Sequence, residues 1–94
     1  MSPLLERHRE KILELAEQHG AGDVRVFGSL ARGEGHAASD IDLLVSLGPG
    51  RSLLDLVALK LALEQAIGCP VDVVTERALS PLLQRQVLAE AVRL

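Results

Sequence analysis

Apolar residues recur with two different periods along the chain. Three segments repeat them every three to four positions, as an amphipathic helix does, and each begins at a serine suited to cap a helix. Asp55 follows Ser52 in the manner of a capping box. At Ser2 and Ser80, proline comes next, at the first helical position. The predicted helices run from Pro3 to Gly20, from Ser52 to Gly68 and from Pro81 to about Val92.

Strand patterns are shorter and lie between these helices. Residues 23–27 alternate polar and apolar, residues 40–47 are half alternating and half continuously apolar, and residues 71–75 are β-branched. Residues 29–32 suit a single helical turn, and residues 33–39 form a loop by composition. The order αβ(α)βαβα predicts an α/β (α+β) fold, in which helices pack over a small mixed sheet of three or more strands.

The composition fits one soluble domain, residues 1–94. Apolar residues make up 48% and Phe27 is the one aromatic side chain, so the core must consist of Leu, Val, Ile and Ala. The net charge is -3 and the basic residues are scattered, so we expect neither DNA nor RNA as the main ligand.

Cysteine usage and the N-terminal pattern bear on location. Cys69 is the one cysteine, so the chain has no internal disulfide, and its first residues are charged and amphipathic, unlike a secretory leader. No apolar run reaches the roughly 20 residues that cross a bilayer. We expect a cytoplasmic protein without a membrane segment.

Two aspartates stand at the head of the second predicted strand. Side chains on a strand alternate between faces, so Asp40 and Asp42 share one face, about 6.5 Å apart, while the apolar residues of this strand face the core. Two carboxylates this close repel each other unless a cation lies between them, and Mg²⁺ is the natural candidate. Because Mg²⁺ completes its coordination with water and substrate phosphates, the pair indicates a nucleotide site.

The residues before the aspartates are suited to bind phosphate. Gly28 ends the first strand where backbone N–H groups can approach an anion closely, and Ser29 adds a hydroxyl. Arg32 either contacts phosphate or forms a structural ion pair with Asp40 or Glu34. We interpret Gly28, Ser29 and Arg32 as nucleotide-binding residues.

A third carboxylate, Asp72, lies among valines on the third predicted strand. A buried lone charge is costly without a partner, so Asp72 suits a role beside the other aspartates if its strand lies next to theirs. In a two-metal phosphoryl transfer, such a carboxylate binds the second ion and accepts the proton of the attacking hydroxyl. The simpler alternative is a half-exposed aspartate without function. His36, in the intervening loop, either touches a nucleotide or lies exposed.

Gly28-Ser29, ten intervening residues and Asp40-Ile41-Asp42 resemble the signature of the DNA polymerase β-like nucleotidyltransferase superfamily. The fuller string GSLARGE…SDIDLLV is similar to its smallest branch, the minimal nucleotidyltransferase (MNT) family, and the resemblance covers nearly the whole chain. It implies transfer of AMP from ATP with Asp40 and Asp42 as metal ligands. With Asp72 added on the reasoning above, the predicted catalytic and metal-binding residues are these three aspartates.

The resemblance also implies a partner. Members of the MNT family act as antitoxins beside all-helical HEPN ribonuclease toxins and transfer AMP to a toxin tyrosine. We therefore expect a protein adenylyltransferase in a type VII-like toxin–antitoxin pair, assembled as a hetero-oligomer with the toxin or also as a homodimer. Two alternatives stay open: a non-catalytic antitoxin that inhibits its partner by binding, and a transferase acting on a small hydroxylated molecule.

The predicted helix that ends at Gly68 carries leucine and valine nearly all round. A helix that is apolar on every side needs cover on every side. Either the rest of the monomer covers it, or part of it is a surface for a partner.

Overall fold

The computed structural model describes residues 3–28, 31 and 40–94. In chain order the elements are helix α1 (Pro3–Gln18), strands β1 (Ala21–Phe27) and β2 (Ile41–Leu47), helix α2 (Leu53–Ile67), strand β3 (Val71–Thr75), a 3-10 turn (Glu76–Ala78), helix α3 (Pro81–Glu90) and strand β4 (Val92–Arg93). The predicted α+β class is confirmed. The expected cap at Ser2, most of the helical turn at 29–32 and the loop at 33–39 lie outside the described residues.

The four strands form one mixed sheet in the order β3-β2-β1-β4. β1 pairs antiparallel with both β2 and β4, whereas β2 pairs parallel with β3. A parallel pair needs a long crossover, and α2 provides it between β2 and β3. The two parallel strands therefore begin at the same edge of the sheet.

One face of the sheet forms the core together with α1 and α2. Ile41 and Leu43 of β2 are completely buried, and Val45 is nearly so. From the helices, Ile12 and Leu63 are also completely buried in the same cluster. This confirms that alternate positions of β2 point into the core and leaves the intervening positions for the opposite face.

The predicted boundaries of α2 are confirmed in detail. Ser52 accepts from the Leu54 backbone N–H, and Asp55 accepts from the Ser52 backbone N–H at 2.9 Å, which completes the capping box. Gly68 ends the helix in the left-handed conformation at φ 86°. Such caps satisfy the backbone groups that a helix end leaves free.

The last predicted helix is too long by two residues. It ends at Glu90, and Val92 and Arg93 form β4 against the free edge of β1. Leu94 extends this pairing by donating its backbone N–H to the Val24 carbonyl oxygen at 3.0 Å. Pairing with an open strand edge has overridden the helical preference of these residues.

Leucine on α2 is divided between core and surface. Leu56, Leu59 and Leu63 are buried, whereas the exposed set is Leu53, Leu54, Val57 and Leu61, with exposures of 73%, 80%, 51% and 58%. Of the two alternatives for α2, complete burial of the helix within the monomer is therefore wrong for the described residues. No helix of the described ranges combines the length and apolar character that a bilayer span requires.

Candidate functional site

A row of three side chains crosses the sheet on the face opposite the core. Asp42 pairs with Phe27 on one side and with Asp72 on the other. Cross-strand partners point to the same face, and neighbouring strands lie about 4.8 Å apart. The parallel pairing of β2 with β3 thus places the Asp42 and Asp72 side chains next to each other, although they are thirty residues apart in the chain.

Asp40 precedes the first residue of β2 and is exposed. The next residue is bonded to the segment that leads into β3, because the Ile41 backbone N–H donates to the Pro70 carbonyl oxygen at 3.0 Å. If the alternation of β2 is continued by one residue, Asp40 falls on the same side as Asp42. The three aspartates therefore belong to one region, at the edge where both parallel strands begin.

Gly28 follows β1 as a turn residue beside this region. Its φ of 76° is a left-handed conformation, which glycine adopts at little cost. A Cβ atom built on Gly28 would collide with Oδ2 of Asp42. The close approach of the turn to a carboxylate thus requires glycine at this position. Ser29, Arg32 and His36 lie outside the described residues.

Two charged side chains of α2 reach the same edge. The hydrogen bond to Glu64 raises the pKa of Lys60 above its usual 10.5, and the fields of Asp72 and Asp40 raise it further. Lys60 therefore stays positively charged, and its charge interacts favourably with those of Asp72 and Asp40. Sequence reasoning missed both Lys60 and Glu64; the available signal was a pair of opposite charges four residues apart in residues 56–64, which are otherwise apolar.

Cys69 lies at the same edge but is unsuited to nucleophilic chemistry. Burial raises the pKa of its thiol above 9.0, and the negative charges of Asp40 and Glu64 raise it further. The protonated thiol is a poor nucleophile and a poor metal ligand. Among the described residues at this edge, the carboxylates suit metal binding better than this thiol does.

Mg²⁺ fits the donor set of this edge as a site completed by substrate. Within residues 3–28, 31 and 40–94, no three acidic, histidine or cysteine side chains form a ready metal-binding group. Mg²⁺ does not need one, because it binds through one or two carboxylates and takes its other ligands from water and phosphate. The neighbouring carboxylates of Asp42 and Asp72, with a glycine turn against one of them, meet that requirement.

Comparison with known proteins decides the family. The model of the family described as "Nucleotidyltransferase domain" matches residues 5–94. The chain belongs to this nucleotidyltransferase family. The family predicted from the resemblance is thereby confirmed, and the protein is a nucleotidyltransferase.

Relatives of this nucleotidyltransferase are known in sequence and in structure. A Methanocaldococcus jannaschii protein provisionally named a protein adenylyltransferase is 48% identical over 84 residues, which are 89% of this chain and 90% of the relative. A solved structure provisionally named a minimal nucleotidyltransferase is 56% identical, with a TM-score of 0.84, and the match covers 96% of this chain and 92% of that one.

A solved toxin–antitoxin complex with AMP-PNP also contains a similar chain. That chain is 28% identical to this nucleotidyltransferase, with a TM-score of 0.77, and the match covers 89% of this chain and 69% of that one. The nucleotidyltransferase thus shares its fold with a member of a toxin–antitoxin pair.

Proposed function

We propose that this nucleotidyltransferase transfers AMP from ATP to a hydroxyl of a partner protein, a tyrosine of a HEPN-family toxin, and so acts as the antitoxin of that toxin. The observation that carries the proposal is the register of β2 and β3, which sets Asp72 beside Asp42 next to the Gly28 turn. Carboxylates in this arrangement suit transfer of a phosphoryl group between two oxygens.

Each residue of the proposed site has a role that follows from its position. Gly28, with Ser29 and Arg32 after it in the sequence, would bind the triphosphate of ATP. Asp40 and Asp42, at the start of β2, would hold Mg²⁺, and Asp72 would contribute a further ligand from the neighbouring strand. When bound, Mg²⁺ would neutralise the negative charge that develops on the phosphate oxygens.

The transfer itself needs a nucleophile, a proton acceptor and a leaving group. The hydroxyl oxygen of the acceptor forms a bond to the α-phosphorus, while the bond from that phosphorus to the oxygen bridging to the β-phosphate breaks. Asp72 accepts the hydroxyl proton, and pyrophosphate leaves with the electron pair of the broken bond. The reaction requires no covalent intermediate with the nucleotidyltransferase itself. Its rate enhancement therefore comes from positioning of the reactants and neutralisation of charge.

Two comparisons support a protein as the acceptor. The Methanocaldococcus jannaschii relative is provisionally named a protein adenylyltransferase, and the chain of the toxin–antitoxin complex was solved with an ATP analogue. A complex with the toxin, as a hetero-oligomer, would deliver the acceptor hydroxyl to the aspartates. The proposed location is the cytoplasm, where ATP and such a partner would both be present.

The proposal is tested by co-expression with a HEPN-family toxin, for which the product of the neighbouring gene is the first candidate. Purified complex, Mg²⁺ and ATP labelled on the α-phosphate should yield labelled toxin, and mass spectrometry should find AMP on a tyrosine. Asp42→Asn should abolish the label. Asp23→Asn is the matched control, because it makes the same exchange at an exposed carboxylate that pairs with Arg25 and Arg93 on the sheet.

A different outcome would identify the alternative function. If Asp42→Asn inhibits the toxin as well as the native chain does, and if the toxin is labelled by neither of these two chains, the nucleotidyltransferase acts by binding alone. Label on an added small hydroxylated molecule, with none on the toxin, would contradict a protein acceptor.

A further inference from the structure

β3 is an edge strand of the described sheet, and two side chains of α2 bind its first residue. The Val71 backbone N–H donates to Glu64 Oε2 at 3.0 Å, and the Val71 carbonyl oxygen accepts from Lys60 Nζ at 2.7 Å. Val71 is buried, so its backbone groups need protein partners. Side chains of a helix thus supply the hydrogen bonds that a neighbouring strand would otherwise make.

Lys60 and Glu64 also bind each other. Lys60 Nζ lies 2.9 Å from Glu64 Oε2, across one turn of α2. Glu64 therefore accepts from both Lys60 and the Val71 amide, and these two hydrogen bonds lower the pKa of its carboxyl group below 4.5. We call the closed set of Lys60, Glu64 and the Val71 backbone the Val71 clamp.

The clamp acts one residue before Asp72. Pro70 is bound to β2 through the Ile41 backbone N–H, and Val71 is bound to α2 through the clamp. Asp72 then emerges on the other face of the sheet, in register with Asp42. The position of the Asp72 side chain is thus fixed by bonds from two different elements to the two residues before it.

We propose that Lys60 and Glu64 are positioning residues, which hold the start of β3 so that Asp72 stays beside Asp42 for the transfer reaction. The inference rests on the proposed function for its catalytic consequence, though its structural part can be measured without any activity. Ends of edge strands open locally more easily than central strands do. A displacement of about 1 Å at a reacting group reduces a rate by about a hundredfold.

The first test separates positioning from nucleotide binding. Glu64→Met keeps the length of the side chain and removes both bonds that Glu64 accepts, whereas Lys60→Met shortens the side chain by one atom and removes both bonds that Lys60 donates. We expect kcat for AMP transfer to fall by about tenfold to a hundredfold with the KM for ATP unchanged, because the glycine turn after β1 is untouched. Glu64→Gln keeps an acceptor for the Val71 amide, so it should retain more activity than Glu64→Met.

The matched control is Arg51→Met. Arg51 forms an ion pair with Asp55, four residues later, at the opposite end of the α2 region, and this pair makes no bond to β3. The control removes a charge and an ion pair of the same spacing. We expect its kcat to stay within about twofold of the native value.

The second test asks whether the clamp works through Asp72. Glu64→Met is combined with Asp72→Asn, and single-turnover rates are compared with those of each single variant. If the clamp acts by placing Asp72, the double variant should be no slower than Asp72→Asn alone. An additional loss as large as that seen in the native background would overturn the inference.

The third test needs no catalysis. Amide hydrogen exchange of residues 71–73 should be faster in Glu64→Met and unchanged in Arg51→Met. Unchanged exchange in Glu64→Met, or unchanged kcat in both clamp variants of an active protein, would overturn the inference. Absence of AMP transfer in the native complex would instead overturn the proposed function, while the exchange result would still decide the positioning role.

Discussion

Gly28 lies so close to Asp42 that a Cβ atom at position 28 would overlap the Asp42 carboxylate. The turn after β1 and the acidic row of the sheet therefore constrain each other directly. Any side chain at position 28 must displace either the backbone turn or the carboxylate, and both belong to the proposed site.

Gly28→Ala should consequently lose AMP transfer almost completely. The substitution adds the strain of a left-handed alanine, about 1–3 kcal/mol, to the collision with Asp42. Gly50→Ala separates the backbone strain from the collision. Gly50 has a φ of 78° and open space around a Cβ atom, so alanine there would be strained without colliding. Thermal unfolding and labelled transfer should show both variants destabilised and only Gly28→Ala inactive. Equal activity of the two variants would contradict a site at the Gly28 turn.

Asp72→Asn should reduce kcat by about a hundredfold or more, because the amide cannot accept the proton of the acceptor hydroxyl. The affinity for ATP should fall much less in Asp72→Asn than in Asp42→Asn, because Asp42 is proposed to hold Mg²⁺ and Asp72 to accept the proton. Equilibrium binding of a non-hydrolysable ATP analogue and single-turnover transfer together measure the difference. A variant with full kcat would remove Asp72 from the reaction.

Removal of divalent cations with a chelator should stop transfer, and added Mg²⁺ should restore it in the native chain. In Asp42→Asn, Mg²⁺ at the same concentration should restore little, since one of the paired carboxylates is lost. Fluorescence or calorimetric titration of the metal in the presence of ATP checks the corresponding loss of affinity. Transfer that persists in excess chelator would contradict the metal site.

The stability of the fold should depend on pH through Glu64. Hydrogen bonds from Lys60 and then from the Val71 amide lower the pKa of Glu64 below 4.5. Since the unfolded chain binds this proton more readily, the contribution of Glu64 is complete above pH 4.5 and is lost as the pH falls through the folded-state pKa. The difference in urea midpoint between the native chain and Glu64→Gln should therefore become smaller as the pH is lowered from about 7 to about 3. A constant difference would contradict a charged clamp.

Two leucines of α2 should respond very differently to truncation. Leu59 is 1% exposed, and Leu59→Ala should lower the free energy of unfolding by about 2–5 kcal/mol through a cavity in the core. Leu61 is 58% exposed, and Leu61→Ala should change it by at most about 0.5 kcal/mol. Chemical denaturation of both variants measures the contrast, and similar losses would contradict the burial of α2.

Local patterns predicted much of this structure, because caps and alternation act within a few residues. The capping box at Ser52, the extent of β3 and the core-facing residues of β2 all follow from such patterns. From the sequence, Asp72 could be placed beside Asp42 only on the condition that their strands are neighbours. The sequence does not settle this condition, because strand order depends on contacts between distant segments.

Other features had too weak a local signal to be predicted. β4 has only two residues, and its partner β1 lies some seventy residues earlier in the chain. The clamp was equally hidden, because a lysine and a glutamate four residues apart usually form a solvated surface pair. Only the fold shows that both side chains end on the backbone of Val71.

The Val71 clamp also limits how an acceptor can approach. Extended peptides often dock by adding a strand to an open sheet edge, where they need free backbone amides and carbonyls. At the start of β3 these groups are already bonded to Lys60 and Glu64. An acceptor segment that adds as a strand would thus find no free backbone groups at Val71, so a protruding loop or helix end that reaches the acidic face of the sheet fits the start of β3 better.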